Sequence, residues 1–590
     1  LPVEYRLLDV TWEPWQPMHS LAWAKIVQWS WSGDWAEELR RTRLLDRLNA
    51  ETTALLLDEG ATAGVKSALP VGSADLGVLA EPLDSVGVAL SGRLEGLGSS
   101  WVVGPGRTES GGPILANAFQ GGAQIPGIWY EIGLHAPGLN VVGASLPGIP
   151  AVIVGHNAYI AWGITNLRSD TQDLFVERLD PTSDAYEWHG EMIPLTMRRE
   201  VIHVRGEASV VLEVRETRHG SLLNGVLEGL DAPVALQWHA TAAPSQFFDA
   251  IHDLNFATNR TEFIEALRQW DSPPLDFVYA DQEGNIGHVV AGEQPIRAPG
   301  GGAWPQPGWG GEWEWRGVVP FDELPQRWNP PEGYLVVAGQ SIFRDGGQRT
   351  EAGNRRTAEL IEGQAPLSLG EIEAIQGDLL SLAASELVPL LVTLPVDDII
   401  VQRAQEQLTT WNYQVAGDLP GAGIYEVTYT FVVRVLLTDE FGEDEAGAQL
   451  LTDYLNGMHD HLSLVTRLLD KPNHALWDDG RTPERETRDD ILQRALYEMS
   501  DWLGRRYGDV PHEWFWERPH TLVFDHPLGT REPFRRIFNR SLGIGGDGAT
   551  LNAIDFSYDD FQVHDLPTYR QIVDVGAWEN SLMLHTTGQS

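Results

Sequence analysis

From Trp101 to Val154 the chain carries short apolar runs that glycine and proline keep interrupting. They are Trp101-Val102-Val103, Gly111-Gly112-Pro113-Ile114-Leu115, Asn140-Val141-Val142-Gly143 and Ala151-Val152-Ile153-Val154. Each is too short for a helix and is bounded by a turn-former, so together they predict buried strands. A hairpin is expected over residues 201–216, turning near Gly206-Glu207, and a strand at Phe277-Val278-Tyr279 after a helix over 259–270. Helical patterns flank this region. Leu21, Ile26 and Trp29 recur at helical spacing, and residues 35–57 are rich in Glu, Arg and Leu. Residues 61–97 are small, Gly-rich and aperiodic, which reads as a connector. The last third reads as mostly helical. There Ser368 with Glu371 forms a capping box, and Ile491, Leu492, Ala495, Leu496, Met499 and Leu503 form a stripe of core residues. Helices, then strands, then helices, without regular alternation, predict α+β layers rather than a parallel α/β sheet.

Bulk properties narrow the function. The 590 residues carry 84 acidic against 41 basic side chains, a net charge of −43. Such a surface lacks the basic footprint that nucleic acid and anionic membranes require. The only lysines are Lys25, Lys66 and Lys471, so arginine supplies nearly all the positive charge. The absence of cysteine removes thiol catalysis, zinc-thiolate sites and disulfides. No stretch reaches the ~18 uninterrupted apolar residues of a membrane span. The chain opens on Leu1 and closes on Thr587-Gly588-Gln589-Ser590, which reads as a cut at both ends, and no signal peptide is visible. No phosphate-binding loop, dinucleotide fingerprint or paired histidines at zinc spacing occur.

The chemically informative stretch is Gly98-Ser99-Ser100-Trp101, where the connector meets the first strand. A serine there suits a precursor that cuts itself. The freed α-amine, with an ordinary pKa of roughly 7.7–8.0, can act as base for the serine's own hydroxyl, with no histidine or aspartate needed.

Wider motifs support that reading. Leu1-Pro2-Val3-Glu4-Tyr5-Arg6, Ser32-Gly33-Asp34-Trp35, Leu139-Asn140-Val141-Val142-Gly143, Pro147-Gly148-Ile149-Pro150, Gly155-His156-Asn157-Ala158-Tyr159, Gly284-Asn285-Ile286-Gly287, Asn329-Pro330-Pro331-Glu332-Gly333-Tyr334 and Gly545-Gly546-Asp547-Gly548 occur in order. In these the chain resembles the penicillin acylase family of N-terminal-nucleophile amidohydrolases. The resemblance implies a four-layer αββα sandwich with extra helices and hydrolysis of an acyl amide. The acyl group would come from an N-acyl-homoserine lactone, an N-acyl amino acid or a β-lactam side chain. It also implies a small and a large chain produced by autoproteolysis, residence in the periplasm or outside the cell, and structural calcium. Residues 1–60 would end the small chain, 61–98 would be the connector, and 99–590 the large chain, helical over about 355–510.

Carried over residue by residue, the nucleophile is Ser99 if Gly98-Ser99 matches the family's Gly-Ser pair. Counting back from Trp101 instead puts Gly98 at that position. Because strand side chains alternate between faces, the two alignments aim the hydroxyl in opposite directions. The main-chain oxyanion donor falls at Asn166, and the family's asparagine donor at Gly339, followed by Gln340. Gln120 matches the residue flanking the nucleophile's amine, and Arg355 a family arginine beside the active site. Calcium ligands fall at Glu38, Asp170, Asp173 and the main chain of Gln172. Gly121, Val154 and Ile164 fall where related enzymes line the acyl pocket.

Overall fold

The computed structural model describes residues 2–32, 35–57, 98–167, 169–227, 230–242, 244–299, 301–337, 347–457 and 461–589. The connector expected at 61–97 and Gly339-Gln340 lie outside the described residues. The apolar runs form strands: β1 (Ser99–Val103), β2 (Ile114–Gly122), β3 (Tyr130–Ala136), β4 (Leu139–Ser145), β5 (Val154–Asn157), β6 (Ile160–Asn166) and β7 (Gln172–Val176). Of the run at 151–154 only Val154 joins a strand.

Two large sheets face each other. The first runs in the order Tyr334–Val337, β1, β2, Gln562–Asp574, Thr521–Phe524, Arg540–Gly543. The second runs Gln326–Trp328, Ile286–Ala291, Leu275–Asp281, β6, β5, β4, β3. Alternation sorts their side chains. Val102 and Leu115 of the first sheet meet Ala161, Val278, Ala280 and Ile286 of the second in the space between. On the outer face of the first sheet, Trp101, Val103 and Ala116 pack on Ile361, Leu367, Ile372 and Ile375. These belong to, or adjoin, helices Gly347–Gly363 and Leu369–Gln376. On the outer face of the second, Trp162, Phe277 and Tyr279 cluster with Phe247, Ile251 and Phe263 of helices Phe247–Phe256 and Arg260–Arg268. Each fully buried aliphatic side chain in these layers contributes roughly 1.5–3 kcal/mol. The result is the four-layer αββα sandwich expected from the sequence.

A third sheet, ordered Thr196–Ile202, Val210–Thr217, Gly220–Leu222, Val234–Trp238, β7, Gln306–Pro307, contains the expected hairpin. Near the start, helices Pro17–Ser32, Trp35–Arg47 and Ala50–Leu56 form as the periodicity predicts. The capping box at Ser368 is present, and every residue of the 491–503 stripe is buried. Helices from Gly347–Gly363 to Arg488–Tyr507 account for the helical region. The expectation of a mostly helical last third fails beyond it. Gln562–Asp574 is a thirteen-residue strand beside β2. Polar residues and Pro567 interrupt its apolar pattern. Pro567 pairs with Gln120 where the β2 register shifts, which is where a strand tolerates a missing N–H. Among the described residues no helix is long and apolar enough to cross a membrane.

Candidate active site

The head of β1 lies over β6. Ser100 Oγ accepts from Asn117 Nδ2 at 2.6 Å, and the same amide donates to the Ile164 carbonyl at 2.7 Å. Ile164 N–H returns a longer bond of 3.4 Å to Asn117 Oδ1. Asn117 therefore stitches the two sheets together at a fully buried position. The close approach is possible because the facing residue is Gly163, where an added Cβ would stand 2.8 Å from Asn117 Cβ.

This register decides which β1 residues look into the cleft. Ser100 and Val102 face the second sheet, and Trp101 and Val103 face the helices. Gly98 is buried on the Ser100 side. A Cβ there would lie 2.7 Å from Thr165 Cγ2 and 2.6 Å from the Ala118 carbonyl oxygen. Ser99, half-buried and paired with Ala118, has the parity of Trp101. In the uncut chain Ser99 thus belongs to the helix-facing side, and Gly98 is the residue that meets β6.

Asn166 closes β6 next to Thr165 and is buried, with its side-chain amide 3.5 Å from the Trp31 carbonyl. Thr165 is therefore brought to Gly98, and Asn166 follows it at the end of β6. Gln120 is buried in β2, and its amide donates to the Ala553 carbonyl at 3.0 Å. It ties the sheet to the loop that follows Gly545-Gly546-Asp547-Gly548. Arg355 is exposed on its helix beside Glu359. Its neighbour Arg356 is the inward one, paired with Asp378 at 2.7 Å. Ile164 lies opposite Phe277 in the ladder and shares its helix-facing side, so it does not line the space between the sheets.

Sequence reasoning passed over a polar group on the second sheet. Asp276 pairs directly with Thr165 across the ladder, so their side chains share the face that looks toward β1. Asp276 Oδ1 lies 2.6 Å from His288 Nε2. Burial pushes the Asp276 carboxyl up, and the His288 contact opposes that shift. An aspartate within the otherwise apolar run 275–280 was the available signal.

The expected calcium ligands gather in part. Glu38, 2% exposed, accepts the Leu174 N–H at 3.2 Å. Gln172 is buried in β7 opposite Trp238. Between the carboxylates of Asp170 and Asp173, however, lies Arg297, at 2.7 Å from the first and 2.8 Å from the second. The Trp315 indole N–H also donates to Asp173. Over this pair sits Gly302, where a Cβ would meet Asp170 Oδ2 at 2.7 Å. Calcium takes 6–8 oxygen ligands at 2.3–2.6 Å. Carboxylates already spanned by a guanidinium do not fit that requirement, because Arg297 supplies the positive charge itself.

Comparison with known proteins agrees with the layers. The family model described as penicillin amidase matches residues 1–590. An acyl-homoserine lactone acylase QuiP of Pseudomonas syringae pv. tomato is 28% identical over 634 residues, covering 100% of this chain and 76% of that protein. A penicillin acylase 2 proenzyme of a Pseudomonas species is 27% identical over 620 residues, covering 98% of this chain and 76% of that one. The chain spans 62% of the QuiP acylase of Pseudomonas fluorescens, at 28% identity. Among solved structures, a thermostable penicillin G acylase from Alcaligenes faecalis superposes with a TM-score of 0.61 at 22% identity. That match covers 80% of this chain and 87% of the other, a likeness of fold.

Proposed function

Because the chain belongs to the penicillin amidase family, we propose that it hydrolyses an acyl-amide bond with Ser99 as an N-terminal nucleophile, freed by cleavage of the Gly98–Ser99 peptide. The observation that carries this reading is the family match over residues 1–590 with a serine at the head of β1; the register of β1 is what the cut has to change. While the chain is intact, Gly98 meets Thr165 and Ser99 has the opposite parity, so the hydroxyl is held away from β6. Cleavage changes that geometry. A terminal Ser99 has no residue before it, so it is free to rotate about its Cα–C bond, and one staggered step carries the hydroxymethyl group into the direction the amine had held and the amine into that of the Cα hydrogen. The hydroxyl then turns into the space that Gly98 gives up. On this reading the uncut chain is a precursor and the cut is the activating step.

The chemistry follows. The α-amine of Ser99 takes the Oγ proton as Oγ attacks the acyl carbonyl carbon. Negative charge develops on the carbonyl oxygen, and the Asn166 main-chain N–H is positioned in sequence to receive it. Collapse of the intermediate breaks the C–N bond, and the proton passes from the α-ammonium to the leaving amine. Water then hydrolyses the acyl ester. The second donor of the family's oxyanion site is missing from the sequence at Gly339. Loss of one such donor costs about 2.7–4 kcal/mol of transition-state stabilisation, so turnover is slow. The names of the relatives point to N-acyl-homoserine lactones and penicillin-type amides as the substrates to try first. The reading also includes export from the cytoplasm and a mature small-chain/large-chain heterodimer.

A chromogenic acyl-anilide assay on the full-length gene product tests the function. Hydrolysis by the wild-type chain that disappears in Ser99→Ala supports it. Equal rates in both overturn it. The second reading is an unprocessed homologue that keeps the cleft and binds a ligand without chemistry. It is favoured by the parity of Ser99, which shares the helix-facing side of β1 with Trp101, and by the glycine at the family's oxyanion asparagine position, and an uncut, inactive wild-type chain would establish it.

A further inference from the structure

Two polar atoms in the cleft have no partner and no access to water. Thr165 Oγ1 and Asp276 Oδ2 both make no hydrogen bond. Their residues are 0% and 1% exposed. They belong to directly opposed residues of neighbouring strands, so their side chains stand side by side. Both look toward β1, as Val278 and Ala161 do on the same strands. An unpaired buried hydroxyl or carboxylate oxygen costs free energy that a folded protein normally recovers with a partner. Here the partner is missing beside the one peptide bond whose cleavage creates a new donor, because Thr165 abuts Gly98.

We infer that Thr165 and Asp276, with His288 holding the carboxylate, form the receiving site for the α-amino group of Ser99 once the Gly98–Ser99 bond is cut. This rests on the reading of Ser99 as an N-terminal nucleophile. Hydrolysis of that peptide leaves a carboxylate on Gly98 and an amine on Ser99. When the amine later takes the Oγ proton it becomes an ammonium, a three-proton donor beside buried residues. The Thr165 hydroxyl and the second oxygen of Asp276 are the acceptors that such a donor needs, and the carboxylate carries the compensating charge. His288 occupies the first oxygen at 2.6 Å and fixes the rotamer. All three are positioning residues, since they act on the reacting hydroxyl through the amine.

Among the described residues the charged and titratable groups around Asp276 are few. His288 faces it from the strand Ile286–Ala291. Arg327 stands opposite His288 on the edge strand and is turned to Glu332. From the overlying sheet come Ser100 and Asn117, neither of which titrates. The pH dependence of the amine is therefore governed mainly by Asp276, and the carboxylate stabilises the ammonium form.

The test is the pH profile of kcat/KM for acyl-anilide hydrolysis, measured on wild type, Asp276→Asn, Thr165→Val and Thr165→Ser. N-terminal sequencing accompanies each to show that the fragment begins at Ser99. Removing the carboxylate makes the amine less basic. The acid limb of Asp276→Asn should then move to lower pH by about one unit, with a plateau lowered about tenfold. Thr165→Val should move the limb the same way, and Thr165→Ser, which keeps the hydroxyl, should restore it. Acid limbs that coincide with wild type in both Asp276→Asn and Thr165→Val overturn the inference while leaving the function intact. If Asp276→Asn is not cut, Thr165→Val alone decides. A wild-type chain that stays uncut overturns this inference together with the reading beneath it.

Discussion

The methyl group of Thr165 stands 2.7 Å from where a Cβ on Gly98 would lie, and the Ala118 carbonyl oxygen closes the other side at 2.6 Å. Position 98 is therefore a glycine for want of space. Gly98→Ala should destabilise the uncut chain by about 1–3 kcal/mol, as overpacking of a filled core does. Thermal melts of the purified precursor measure it, and an unchanged melting temperature would mean that β1 and β6 can separate at no cost.

Asn117 holds the same two strands together. Replacing it with leucine leaves the Ile164 carbonyl and the Ser100 hydroxyl without their shared donor in a buried site. About 1–3 kcal/mol of stability should be lost. Urea unfolding of wild type and Asn117→Leu provides the comparison, with the loss seen in the midpoint at constant slope.

Arg297 gives a metal-removal prediction. Since its guanidinium already joins Asp170 and Asp173, chelation with EDTA or addition of excess calcium should leave the melting temperature of the wild-type chain unmoved. Arg297→Met strands the buried carboxylate of Asp173 and the partly buried one of Asp170 and should cost about 3–5 kcal/mol. Calcium should recover part of that loss only in the variant. A wild-type chain that melts lower after chelation would show that the ion and the arginine coexist.

His219 gives a pH prediction away from the cleft. It is 2% exposed, stacked on Phe175, and its two ring nitrogens lie 2.8 Å from Glu177 and 2.6 Å from Glu314. Burial disfavours its charged form, but the two carboxylates outweigh burial and hold its pKa above the ordinary 6.5. A raised folded-state pKa gives stability that is fully present below the unfolded value and is lost as pH rises through the folded one. The melting temperature should therefore fall on going from about pH 6 to about pH 9. His219→Gln should flatten that slope, and an identical slope in the variant would assign the effect to other groups.

The layers were legible in the sequence wherever apolar periodicity and turn-formers agreed. Val102 and Trp101 alternate as strand residues should, and Ser368 caps its helix as written. Gln562–Asp574 was illegible because a central strand with Pro567 and a bulged partner lacks the alternating pattern. The site was legible as a set of addresses but not as directions. Sequence picked out Ser99 and Asn166, yet only the register of β1 against β2 shows that Ser99 and Gly98 have opposite parity. Arg355 and Arg356 differ by a single position, and it is Arg356 that finds the carboxylate of Asp378. Arg297, 124 residues beyond Asp173, has no local signature that ties it to the acidic pair.

The central claim is that the intact chain is a precursor whose Gly98–Ser99 bond must break. Intact-mass measurement of the full-length gene product after incubation, with N-terminal sequencing of the larger piece, tests it most directly. The account predicts two fragments, the larger beginning Ser99-Ser100-Trp101, and no such cut in Ser99→Ala. A single mass for the wild-type chain, uncut after incubation, would contradict it.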